Sequence, residues 1–149
     1  VDGTVFKAHK AIVCTRSLRH RQNTLKMDLK TSSVVTIEHV TAQEFATFME
    51  FLYTDSCPID KAQVNGLEKL ANLFGTAWLK QLLKSNTNMK DKRYFSTVPR
   101  LADDMAALLL DQDFSDISFD IQGRRIHSHK VSPRYNYVYY KTSNSINIS

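Results

Sequence analysis

His9 and His129 could bind a metal ion or act as catalytic bases. His127 and His129 stand two residues apart in an alternating segment, so both rings would lie on one face of a strand and could begin a zinc site. Zinc usually takes about four ligands, and no cysteine or acidic residue is placed to complete the set. The favoured interpretation of these histidines, and of His9, is a hydrogen-bonded residue where a strand meets a helix.

No pattern for catalysis accompanies them. Cys14 follows His9 by five residues, but it lies in a helix that should be buried, where a thiol is inert. There is no glycine-rich phosphate loop and no Ser-His-Asp or Cys-His signature, so we expect no catalytic residue, no cofactor and no enzyme. Cys14 and Cys57 are isolated, which favours a reducing, intracellular location in the cytoplasm or nucleus.

The net charge of +5 is concentrated in two basic runs. The runs consist of Arg16, Arg19, Arg21, Lys26 and Lys30, and of Lys84, Lys90, Lys92, Arg93 and Arg100. Such runs can bind a phosphate backbone, which makes a nucleic-acid-associated factor an alternative. Aromatic residues are not interleaved as stacking platforms, so solvated loop and linker is the favoured interpretation. No apolar run approaches the roughly 18 residues of a membrane span.

The elements that must position these residues begin with a short strand at 4–8, a helix at 9–16 and a weak helix near 23–30. A strand at 34–38 follows. Thr41 and Glu44 then form a capping box, and the helix to about residue 54 carries one apolar stripe. The members of the stripe are Phe45, Phe48, Met49, Leu52 and Tyr53.

Two further helices, at 64–74 and from 76, are separated by Gly75, which can end the first of them. A polar, basic linker is expected at 86–100 and a short helix at 101–110. Ile117, Phe119 and Ile121 alternate with polar residues, which predicts a β-hairpin with Gly123 at its turn. The stretch 132–149 is expected to be an irregular tail.

Two stretches repeat one pattern, VDGTVFKAHKAIV at 1–13 and IQGRRIHSHKVSP at 121–133. The order of elements resembles the BTB (POZ) domain. It consists of a strand, a helix that opens with FKAHK, a strand VVTIEHV, a helix that ends with FLYTD, and two leucine-rich helices. FSDISFDI followed by GRRIHSHK is similar to the first hairpin of the same domain. The chain thus resembles a tandem BTB protein, with one domain at 1–85 lacking its first strand and a second beginning at 101–131.

The resemblance implies an α+β fold, a small β-sheet with a cluster of α-helices. It implies a protein–protein interaction module that self-associates, as a homodimer or with other BTB proteins, and joins a cullin-type ubiquitin ligase to a substrate. Glu50, Tyr53 and Asp55 match the cullin-facing segment of the family, although an ordinary helix C-terminus is an equal alternative. A truncated product without independent function is a further alternative.

The resemblance also implies a charged pocket. Lys10, Asp116 and Lys130 match its positions, although a lysine that extends to water is an equal alternative. The segment 116–121 is a candidate to replace the missing strand of the first copy and bring Asp116 towards Lys10.

Overall fold

The fold is α+β in a computed structural model that describes residues 1–17, 34–85, 92–95, 99–110 and 114–128. The chain divides into two compact units, Val1–Ala102 and Asp103–Ser149, and each is described by itself. The weak helix expected near 23–30 and the tail at 132–149 lie outside the described residues, as do His129 and Lys130.

Four helices dominate the described residues of the first unit. They are α1 (Lys10–Arg16), α2 (Ala42–Thr54), α3 (Val64–Phe74) and α4 (Ala77–Ser85), with a 3-10 turn at Lys61–Gln63 before α3. A fifth helix, α5 (Leu101–Leu110), begins at the end of this unit. All five were predicted from the apolar periodicity and the end signals of the sequence.

The capping box predicted for α2 is formed. The hydroxyl of Thr41 accepts a hydrogen bond from the backbone N–H of Glu44 at 3.2 Å, and the Glu44 carboxylate accepts one from the N–H of Thr41 at 2.7 Å. Two of the N–H groups that a helix start leaves unpaired are thereby satisfied. The other end of α2 is closed by Asp55, whose φ of 55° is left-handed.

The core of the first unit lies where α2 packs on α3. Phe48 and Phe51 of α2 are fully buried, and the ring of Phe48 lies 5.0 Å from that of Phe74 at the end of α3. Burying one such side chain contributes about 1.5–3 kcal/mol. The apolar stripe was predicted correctly, with Met49 and Tyr53 only half-buried at its margin.

The two-stranded antiparallel sheet of the first unit was not predicted from the sequence. Strand β1 (Ser56–Ile59) pairs with β2 (Lys92–Phe95), so that Cys57 lies opposite Tyr94. Four residues of the expected linker at 86–100 therefore belong to a strand of the first unit. The fully buried Cys57 and nearly fully buried Ile59 hold β1 on the core, where it offers backbone groups to a partner far along the chain.

The strands expected at 4–8 and 34–38 are not formed, and both segments belong to no helix or strand. Strand residues need a hydrogen-bonded neighbour, and within the described residues neither segment has one. Val5 and Val34 are instead 88% and 81% exposed. β-propensity alone was therefore a poor guide to these two segments.

The second unit contains the predicted hairpin. Strand β3 (Ile117–Ile121) pairs with β4 (Arg124–Ser128), and Phe119 lies opposite Ile126. Gly123 lies at the turn as predicted, with a φ of 76°, and Gln122 before it has a φ of 52°. Two successive positive φ values are those of the type I′ turn, whose twist matches that of a hairpin.

Candidate functional site

The residues that match the cullin-facing segment lie at the C-terminal end of α2. Glu50 and Tyr53 are half-buried and retain surface, whereas Asp55 is 5% exposed. The first two side chains can therefore reach a partner protein, and the third is engaged inside the unit.

Asp55 joins three segments of the chain. One carboxylate oxygen forms an ion pair with the guanidinium of Arg16. The other accepts hydrogen bonds from the backbone N–H groups of Arg100 at 2.7 Å and Leu101 at 2.6 Å. Leu101 is the first residue of α5, so Asp55 supplies a carboxylate to the start of that helix, where negative charge is favourable.

Arg16 is fully buried, so the prediction that it belongs to a solvated basic run is wrong. Its Nε donates to the carbonyl of Leu52 at 2.9 Å, and its guanidinium carbon lies 5.1 Å from the centre of the Trp78 ring. A guanidinium can be buried when its donors meet a carboxylate and a carbonyl and its face meets an aromatic ring. A single arginine at the end of an apolar helix was the signal that could have identified it.

Trp78 contacts a second cation. The guanidinium carbon of Arg100, a residue placed in the other basic run, lies 5.3 Å from the ring centre. Arg100 is half-buried, and Trp78 is 5% exposed. We name Arg16, Asp55, Trp78 and Arg100 the buried charge cluster. Two cations counted towards a nucleic-acid surface therefore belong to this cluster.

Tyr53 holds the start of α1. Its hydroxyl accepts a hydrogen bond from the backbone N–H of His9 at 3.0 Å and lies 2.8 Å from Nδ1 of the same residue. The tautomer of His9 decides which of these two groups donates in the second contact. Burial raises the pKa of Tyr53 above its ordinary value, and the bond from the His9 backbone partly opposes that rise. His9 is thus hydrogen-bonded at the start of α1, as predicted, but the strand expected before it at 4–8 is not formed.

The described histidines do not gather other metal-ligating side chains. Nδ1 of His127 lies 3.3 Å from the hydroxyl of Ser115. In the described ranges, no three histidine, cysteine, aspartate or glutamate side chains stand where they could hold a metal ion. His129, the other half of the candidate pair, lies outside those ranges.

The predicted charged pocket remains a prediction. Lys10 is the exposed first residue of α1 in the first unit. Asp116 precedes β3 in the second unit, where its backbone N–H donates to the carbonyl of Ser128 at 3.2 Å. Lys130 is outside the described residues.

Comparison with known proteins gives one family. Residues 1–90 match the model of the BTB/POZ domain. No curated protein matches the chain. Among the described residues, no helix is long and apolar enough to cross a membrane.

Proposed function

The chain belongs to the BTB/POZ domain family, and from that membership we propose that it self-associates and serves as a substrate adaptor for a cullin-type ubiquitin ligase. The domain type is a protein–protein interaction module. The adaptor role requires a docking face on the domain and no chemistry of its own. The match over residues 1–90 is the observation that carries the proposal.

The docking face of the proposal is the C-terminal end of α2. Glu50 offers a carboxylate, and Tyr53 offers an aromatic ring with exposed area, a residue type enriched where proteins bind each other. We assign Asp55 a different part in this face. Because its carboxylate is occupied by Arg16 and α5, it fixes the backbone on which Glu50 and Tyr53 stand.

The proposal also assigns a role to the hairpin of the second unit. We infer that its hairpin begins a second domain of the same type, which would make the chain a tandem protein. The inference is supported by the sequence match at 121–130 and by the hairpin found there, β3–β4. The buried thiols of Cys14 and Cys57 support an intracellular, reducing location.

A pull-down with a purified cullin scaffold tests the adaptor role. Wild-type chain and Tyr53→Phe, which keeps the ring, should retain the scaffold. Tyr53→Ala and Glu50→Ala should weaken retention, whereas Glu68→Ala, an exposed carboxylate on α3, should not. Light scattering of the same samples should give the mass of a dimer.

The adaptor role and self-association can each be refuted separately. A folded wild-type chain that does not retain the scaffold refutes the adaptor role. A monomer mass at every concentration refutes self-association. Circular dichroism of each variant distinguishes a lost contact from a lost fold.

A further inference from the structure

A segment at the end of the first unit lies beyond the residues that match the family. The match covers residues 1–90, whereas the compact unit extends to Ala102. We name two parts of this segment, residues 92–95 and 100–101, the strap. The strap contacts the rest of the unit at two places, the edge of β1 and the carboxylate of Asp55. The additional segment is therefore packed as a part of the unit.

Pro58 of β1 determines which residues of β1 and β2 exchange hydrogen bonds. Pro58 lies opposite Arg93 but has no N–H to donate, and bonds alternate along an antiparallel ladder, so the pairs on either side exchange them. These pairs are Cys57 with Tyr94 and Ile59 with Lys92. The N–H of Tyr94 therefore points towards β1, whereas the N–H of Arg93 points away from it.

The edge of β1 that carries these bonds lies against the core. Cys57 is fully buried and Ile59 is 1% exposed. Without β2, their backbone groups would lose their partners at an apolar surface, and unpaired backbone in such a place is costly. An edge of this kind is a template for a strand, and the strap supplies that strand.

Asp55 extends the same edge by one residue. It directly precedes β1, and its carboxylate accepts hydrogen bonds from the backbone N–H groups of Arg100 at 2.7 Å and Leu101 at 2.6 Å. The guanidinium carbon of Arg100, 5.3 Å from the centre of the Trp78 ring, adds a side-chain contact. Five consecutive residues, 55–59, therefore bind the strap, and they do so largely through its backbone.

We propose that the strap is an internal ligand of the first unit, and that it closes residues 55–59 against the same segment of a second copy of this chain. Recognition through the backbone does not distinguish the strap of one copy from that of another, so the two compete for one site. The chain's own strap is tethered, so its effective concentration at the site exceeds that of a strap supplied in solution. This autoinhibitory contact goes beyond the proposed adaptor role, and it depends neither on cullin binding nor on the surface used for self-association.

A labelled peptide with the sequence of residues 91–102, DKRYFSTVPRLA, tests the site by fluorescence polarisation against the full chain. The wild-type chain should bind the peptide weakly, because its own strap occupies the site. Tyr94→Pro in the chain removes an N–H that points towards β1, so this variant should bind the peptide at least tenfold more tightly than wild type. Arg93→Pro is the matched control, because the N–H that it removes points away from β1, and its affinity should equal that of wild type.

The same two changes made in the peptide should separate in the same way. Against the Tyr94→Pro chain, a peptide with Tyr94→Pro should lose binding, and a peptide with Arg93→Pro should retain it. A peptide with Arg100→Ala should bind about two- to fivefold more weakly, because it lacks the cation on the Trp78 ring. Trp78 is the one tryptophan of the chain, so its fluorescence reports whether the site is occupied.

Three results would overturn the proposal. The first is equal affinity of the wild-type chain and the Tyr94→Pro chain for the peptide. The second is a Tyr94→Pro chain that circular dichroism shows to be folded and that does not bind the peptide. The third is an equal gain of affinity from Arg93→Pro and Tyr94→Pro, which would contradict the backbone register. Lys92→Pro removes the other N–H that points towards β1, so it replaces Tyr94→Pro if that variant fails to fold.

Discussion

The ion pair between Arg16 and Asp55 makes a quantitative prediction for stability. Asp55→Asn keeps a residue that tolerates the left-handed backbone but removes the counter-charge of a fully buried guanidinium. Removing one partner of a buried pair costs about 3–5 kcal/mol. The Leu52 carbonyl and the Trp78 ring still contact Arg16, so we expect the lower end, about 3 kcal/mol.

Urea unfolding followed by tryptophan fluorescence measures this loss. The chain has one tryptophan, Trp78, so the signal comes from the buried charge cluster itself. With a slope of about 1–3 kcal/mol per molar urea, a loss of about 3 kcal/mol lowers the midpoint by roughly 1–3 M. Glu68→Gln, an exposed change on α3, should stay within about 0.5 kcal/mol of wild type.

A double-mutant cycle separates the pair from its surroundings. Adding Arg16→Met to Asp55→Asn should restore part of the lost stability, because neither buried charge then remains. The coupling between the two changes should reach about 2 kcal/mol. A loss below about 1 kcal/mol for Asp55→Asn alone, or strictly additive losses, would refute the reasoning.

Three further predictions concern single side chains. The raised pKa of Tyr53 contributes stability that is present below about pH 10 and is lost as pH rises through the pKa of the folded state. The free energy of unfolding measured across this range should therefore fall more in wild type than in Tyr53→Phe. Equal declines in the two proteins would contradict this prediction. Gly66→Ala gains about 0.5–1 kcal/mol of helix propensity, but its methyl would meet the Glu44 carboxylate and disturb a capping box worth about 1 kcal/mol. Its net effect in urea unfolding should be near zero, and it should become stabilising when Glu44→Ala removes the carboxylate; the same effect in both backgrounds would exclude the clash. Thr76→Val removes a buried hydroxyl that has no hydrogen-bond partner among the described residues. The free energy of unfolding should therefore increase by about 1 kcal/mol, and the melting temperature should rise. A lower melting temperature would show that the hydroxyl is hydrogen-bonded.

The features that could be predicted from the sequence are those set by residues close together in the chain. Thr41 and Glu44 are three apart, and their capping box, the helix they start and its apolar stripe were all predicted correctly. The turn at Gly123 is equally local, and its hairpin was found as expected. In each case the signal and the structure lie within one short window of the chain.

What could not be predicted depends on residues far apart. Strand β1 holds a proline and is four residues long, and its partner lies in a stretch of linker composition. The burial of Arg16 is visible only once Asp55, 39 residues away, is known to face it. The predicted partner role of Asp55 rested on its position in a motif, and a motif does not reveal which carboxylates are already occupied.

The two amides held by Asp55 have a consequence for hydrogen exchange. The N–H groups of Arg100 and Leu101 lie at the start of a helix, where amides ordinarily exchange quickly because no preceding turn protects them. Here their acceptor is a carboxylate buried in the core, so both amides exchange only when the core around Asp55 opens. The amides at the start of α5 should therefore be protected from exchange as strongly as those in the interior of the first unit.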